Sequence, residues 1–217
     1  MTKNETLPRV ARKRERTRGE LVAAAERLVA VRGLDALSID EITEEADVAK
    51  GTFYTHFTDK DDLAAAIGNQ IRIELEERIT ATNEGIADTA VRMANGLSLM
   101  LAFAIAQPVR ARALLRLIPG GVDPETPINA GIRGDIAMGM KSKRFAVASV
   151  NAAVVAMIGI AMSTALHLTD TTRRVAEPYA FAAEALATAL LALGMKQADA
   201  VRIANAAVNN RRKDIGQ

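Results

Sequence analysis

The sequence predicts an all-α protein: an N-terminal three-helix helix-turn-helix domain followed by a larger helical domain, nine to ten helices in total. Three observations carry this. The 217 residues are 49% apolar, with no Trp and only 3% aromatic residues, a composition rich in Ala, Leu, Val and Ile that favours helices. Apolar residues recur at three- and four-residue intervals, and no segment is a convincing strand. Gly and Pro clusters are few and fall between the periodic segments. A chain of this length buries a sizeable core, and the expected domains are 1–60 and 61–217.

Residues 1–18 carry seven basic side chains (Lys3, Arg9, Arg12, Lys13, Arg14, Arg16, Arg18) against two acidic ones (Glu5, Glu15), a local net charge of +5. The run reads either as a solvated, disordered tail or as an arm that follows phosphates or enters a minor groove. The first helix is expected from about Thr17 to Val31, with Leu21, Ala25, Leu28 and Val29 on its buried stripe and Gly33 just past its end. Thr17 and Arg18 then stand at its start, where free amides and the helix dipole favour a phosphate.

Ser38 to Lys60 organises the chain. Ser38 is an N-cap candidate, with Glu41 three residues on as its capping-box partner. Ile39, Ile42 and Ala46 share one helical face, Ala46-Asp47-Val48 makes a short turn, and a second helix begins near Ala49. Phe53 and Phe57, four apart, share a buried stripe; Thr55 points most nearly opposite, with Gly51 and Thr52 beside it and Lys50, Tyr54 and His56 on the flanks. Such a helix is built to touch something polar and anionic, as when the second helix of a helix-turn-helix (here 38–57) enters a DNA major groove.

Ile39-Asp40-Glu41-Ile42, Val48-Ala49-Lys50-Gly51-Thr52-Phe53-Tyr54, His56-Phe57, Lys60 and Leu63 closely resemble the DNA-binding region of the TetR family of bacterial transcriptional regulators. The resemblance is specific from about Thr17 to Leu63. Ala49 stands where the family often has Ser, and Thr55 where it often has Tyr or His. The expected DNA-facing set is Thr17, Arg18, Ser38, Ala49, Lys50, Gly51, Thr52, Tyr54, Thr55, His56 and Lys60, with Ser38, Thr17 and Lys60 on phosphates. Repression relieved by a small molecule is what the resemblance implies.

A fourth helix is expected from Asp59–Asp62 to about Thr82, apolar every four positions at Leu63, Ile67, Ile71 and Leu75. It joins the DNA-binding unit to the rest without an obvious flexible linker. Asp88 to Ala106 is apolar on most faces and is expected to be central. Pro108 opens a helix to about Ile118. The loop to Pro127, with three prolines and two glycines, is the expected mobile segment and, together with the helix 127–145 after it, the expected gate. Pro127 to Phe145 is a weak helix, since Gly131, Gly134 and Gly139 each cost about 1 kcal/mol against Ala. Residues 147–168, 177–193 and 199–212 complete the helices, and Ala146 to Leu168, uncharged and long enough to span a bilayer, is expected to be a buried helix.

Catalysis has little to stand on. There is no Cys, hence no disulfide, zinc finger or thiol nucleophile. Of two histidines, His56 belongs to the recognition helix and His167 stands alone. No phosphate loop or His-Glu-x-x-His signature is present, so no catalytic residue, metal or cofactor is expected. Glu74, Glu76 and Glu77, flanked by Arg72 and Arg78, suit a solvated face. Arg110, Arg112 and Arg116 read as a solvated face, or one of them as the cation that answers an anionic ligand or an acidic partner surface.

The expected function is therefore a cytoplasmic DNA-binding regulator of operator DNA, and not an enzyme. It is expected to form a homodimer through the Ala-rich helices at 147–168 and 177–193, with Ala153 and Ala187 as trial positions. A largely apolar effector would sit among Leu97, Met100, Phe103, Leu114, Met138, Phe145, Met157 and His167. No membrane partner is expected. The alternatives are a constitutive dimeric regulator without ligand, or a helical enzyme or carrier with an N-terminal packing module.

Overall fold

The computed structural model describes residues 8–117, 129–172 and 174–215. Among them lie ten helices: α1 (Arg9–Arg32), α2 (Ile39–Glu45), α3 (Lys50–Phe53), α4 (Lys60–Thr82), α5 (Thr89–Ala106), α6 (Pro108–Leu117), α7 (Ala130–Lys141), α8 (Val150–Thr169), α9 (Pro178–Ala192) and α10 (Gln197–Ile215). The all-α expectation holds. The loop part of the expected gate, up to Pro127, falls in 118–128, outside the described residues, and its helix part is α7. Two compact units result: one takes in the chain up to Arg72 and the segment from Arg112, the other runs from Ile73 to Ala111 and resumes after residue 119.

In the first unit, α1 starts at Arg9, eight residues before the expected Thr17. The reason is local. Residues 9–18 are mostly Arg, Lys, Ala and Glu, all good helix formers. The ladder starts where Arg12 N–H donates to the Pro8 carbonyl at 3.0 Å. Thr17 therefore lies two turns inside the helix, and its amide is not a free N-terminal donor. Leu21, Ala25 and Val29 are buried, Leu28 is half-buried, and Gly33 ends the helix at φ 79°, a conformation that suits glycine. In α4, Leu63, Ile67, Ile71 and Leu75 are all buried, as their spacing predicts.

The second unit is built on α5, which packs against α7, α8, α9 and α10. Asp88 caps it, its carboxylate accepting the Ala90 N–H at 2.9 Å, and twelve of its residues are buried, so the expected central place is borne out. A polar network ties its first turns to Asn83, just past the end of α4, and to α7. Arg92 Nε donates to Asp135 Oδ1 on α7 at 2.7 Å, and Arg92 Nη1 donates to the Asn83 carbonyl at 3.3 Å. Asn83 returns a bond to the Arg92 carbonyl and accepts one from the buried Asn95 amide.

Gly139 has a use beyond weakening α7: a Cβ there would lie 2.1 Å from the buried Phe145 ring. The glycine is the notch that admits that ring. Arg110, read as solvated or ligand-facing, pairs with Glu74 at 2.9 and 3.2 Å and lies over the Phe103 ring at 5.8 Å. Glu74 is therefore not on a purely solvated face.

The helix at 147–168 is not buried on all sides. Ala153, Val154, Met157, Ala161 and Ala165 of α8 are buried, while Ala152, Val155, Ala156, Ser163 and Leu166 are exposed. Alanine suits either side of a helix, so periodicity could not orient this one. Ala153 and Ala187, offered as interface positions, are 6% and 7% exposed and belong to the protomer's own core.

Candidate nucleic-acid interface

The helix-turn-helix is held by local chemistry. Glu41 N–H donates to Ser38 Oγ at 3.2 Å and Ser38 N–H donates to Glu41 Oε2 at 2.8 Å, the reciprocal capping box that the spacing predicts. Ser38 Oγ–H also reaches Glu41 Oε2 at 2.8 Å. These bonds, with Arg32 at 2.8 Å, lower the Glu41 carboxyl to about 2. The folded form thus releases its proton more readily than the unfolded chain. The stabilisation is full above the usual 4.5 and is lost as pH falls from there towards about 2. An acid titration of the helical signal should show this loss, and Glu41→Gln should remove that component of the pH dependence.

Asp47, at φ 53°, closes the turn in a conformation that Asp tolerates better than most residues. The recognition segment then differs from the expected regular helix. Regular α-helix covers only Lys50–Phe53, followed by a turn over 54–56. The cause is in its residues. Gly51, Thr52 and Thr55 are weak helix formers, and Thr55 Oγ1 donates to the Thr52 carbonyl at 2.7 Å, competing with the ladder. Phe57 N–H still reaches the Phe53 carbonyl at 2.9 Å. Phe53 and Phe57 are 0% and 3% exposed, with ring centroids 5.7 Å apart. On that anchor Lys50, Gly51, Tyr54 and Thr55 are exposed, and Thr52 and His56 are half-buried.

Several predicted contacts have partners within the protein. Lys50 Nζ lies 2.8 Å from Asp40 Oδ1, and this carboxylate raises the lysine's pKa. Lys60 Nζ donates to the Leu37 carbonyl at 2.6 Å and the Leu34 carbonyl at 3.4 Å, tying the α1–α2 linker to the start of α4. Ala49 is exposed at the N-cap of α3, where it supplies no side-chain cap.

The basic run reaches the same place. Arg14 Nη2 donates to the Thr55 carbonyl at 3.3 Å, and the Arg18 guanidinium lies 5.1 Å from the Phe57 ring centroid. Burial, then Arg14 and Arg18, push the His56 imidazole below its usual 6.5. Sequence reasoning named both arginines but missed that they meet the recognition segment; their i, i+4 spacing was the available signal.

The sequence profile described as bacterial regulatory proteins, tetR family, matches residues 21–67, from inside α1 through the interface to α4. Residues 21–67 carry a TetR-family DNA-binding region. The TetR match begins after the basic turns of α1. Solved structures extend the likeness over both units. RolR bound to resorcinol is 25% identical over 89% of this chain and 95% of its own, with a TM-score of 0.56. A gamma-butyrolactone receptor described as ArpA-like is 21% identical, covering 92% and 99%, at 0.68. AibR in complex with isovaleryl coenzyme A and operator DNA is 14% identical, covering 83% and 100%, at 0.65.

The eight residues expected around an effector are dispersed. Leu97, Phe103, Phe145 and Met157 are buried, Met138 is 52% exposed, and Met100 is half-buried. His167 lies with its ring 4.8 Å from that of Phe181. Leu114 falls in the first unit. Leu97 lines a cleft of about 10 Å³ with Leu101, Ile160, Ala161, Thr164, Ala185, Leu186 and Ala189, room for about one water.

Proposed function

We propose that this TetR-family regulator is a dimeric, cytoplasmic repressor that binds a two-fold operator and is released by a small, largely apolar ligand. The supporting observation is the exposed surface of Lys50, Gly51, Tyr54 and Thr55, presented on a buried Phe53–Phe57 base within the matched domain. The DNA-reading unit is taken as 1–60 and the effector and dimerisation unit as 61–217. Thr52, Tyr54 and Thr55 meet bases, while Lys50, Lys60, Ser38 and Arg18 serve the backbone. Asp40 holds Lys50 until a phosphate takes its place. Tyr54 is 55% exposed, so Tyr54→Ala should leave the thermal melt unchanged and weaken operator binding by roughly 1–3 kcal/mol. Unchanged affinity in a folded Tyr54→Ala would remove this assignment.

The dimer reading rests on α8. Ala152, Val155, Ala156, Gly159 and Leu166 line its outer face, and a Cβ on Gly159 would meet nothing within 4 Å. An apolar stripe at i, i+3, i+4, i+7 seeks a partner helix, and a second copy with α9 beside it makes a four-helix bundle. Ala156→Arg should give folded monomers in sedimentation at micromolar concentration, whereas Ala153→Arg should instead lower the melting temperature. A dimeric Ala156→Arg would place the interface elsewhere.

The effector is proposed to enter near the cleft between α5, α8 and α9, beside Leu97, Phe103, Met157 and His167, with Met100, Met138 and Phe145 as further candidate contacts. RolR and AibR carry small molecules in their structures, which supports the reading. At about 10 Å³ the cleft must open first, so apparent affinity is reduced by the fraction of open molecules. Release requires tighter binding to the non-DNA conformation, and operator then weakens ligand by the same factor.

A further inference from the structure

The extended start of α1 touches the recognition segment. Residues 9–20 precede the family match, yet Arg14 spends a donor on Thr55 O at 3.3 Å. That carbonyl belongs to the turn that follows the four-residue α3. The neighbouring carbonyls are already occupied: Thr52 O takes Thr55 N–H, and Phe53 O takes His56 and Phe57 N–H. Arg18, one turn along α1, lies against Phe57, the buried base of the same segment. A short helix in a marginal conformation is thus braced from α1 on its backbone and on its anchor.

We propose that Arg14 is a positioning residue for DNA reading, bridging the Thr55 carbonyl and a DNA phosphate, with Arg18 fixing the base beneath. The side chain is exposed, and a guanidinium has five donors in a planar fork, so one can hold Thr55 while others meet a phosphate. Through this bridge a sequence-independent contact sets the place from which Thr52, Tyr54 and Thr55 meet the bases. A lysine carries the charge but not the planar fork. The inference rests on the DNA-reading function proposed above.

The test uses the full-length protein, a duplex selected by it from a random pool, and a scrambled duplex of equal length. Each is titrated at several salt concentrations with the unmodified chain, Arg14→Ala and Arg14→Lys, after equal thermal melts are confirmed. Arg14→Ala should reduce the salt slope by about 0.9 and reduce the selected-to-scrambled affinity ratio by about tenfold. Arg14→Lys should keep the slope and still lose most of that ratio. Equal losses on both duplexes in Arg14→Ala, with the ratio kept in Arg14→Lys, would reduce Arg14 to a plain phosphate contact and overturn the proposal. No change in either variant would overturn it too. If the unmodified chain does not distinguish the two duplexes, the DNA-reading assignment itself fails, and this one with it.

Discussion

Phe53→Ala should strongly destabilise the DNA-binding unit. The ring is 0% exposed and is the anchor of a helix only four residues long. It packs edge-on to Tyr54 at 5.4 Å and tilted on Phe57 at 5.7 Å. Truncating a buried Phe to Ala costs about 3–5 kcal/mol, because transfer energy is lost and a cavity is left. A small domain commands only about 5–15 kcal/mol in all. Operator binding and the first unit's thermal transition should therefore fall together in Phe53→Ala, whereas Tyr54→Ala should lose binding alone. A Phe53→Ala protein with an unshifted melt would show that the segment is held by something other than its aromatic base.

Asp135→Ala should have a comparable effect in the second unit. The Asp135 side chain is 11% exposed and that of Arg92 is 31% exposed. Removing the carboxylate leaves a cation among Asn83, Asn95 and Asp135's former site. Breaking a buried pair costs about 3–5 kcal/mol; the partial exposure of Arg92 screens its charge and brings this to about 2–4 kcal/mol. Urea unfolding should show the loss. Asp135→Asn, which keeps an acceptor for Arg92 Nε, should lose less. Equal stability of Asp135→Ala and the unmodified protein would mean that water replaces the carboxylate at no cost.

What could be read from the sequence was local. Ser38 and Glu41 lie three apart and form their box without help from the rest of the chain. Asp88 and Pro108 likewise mark helix starts by their own chemistry, and both are found at those places. Phe53 and Phe57 declared themselves because large apolar side chains four apart have one sensible destination. Three features were hidden for physical reasons. The start of α1 was masked by charge: a basic run suggests a tail, although Arg, Lys, Ala and Glu are good helix formers. The orientation of α8 was masked by alanine, which reads alike on an inner or outer face. The pairings of Lys50 with Asp40 and Lys60 with Leu37 cross turns, and no spacing rule reports them. Gly139 shows the same limit, since its role depends on where Phe145 folds back.

Selection of bound duplexes from a random pool by the full-length protein tests the central claim most directly. The account predicts enrichment of two inverted half-sites whose centres lie about one helical turn apart, 34–36 Å, or a multiple of it. Enrichment should be lost in a folded Tyr54→Ala. A pool without enrichment, or one enriched equally by Tyr54→Ala, would contradict the assignment of Lys50 to His56 as the surface that reads DNA.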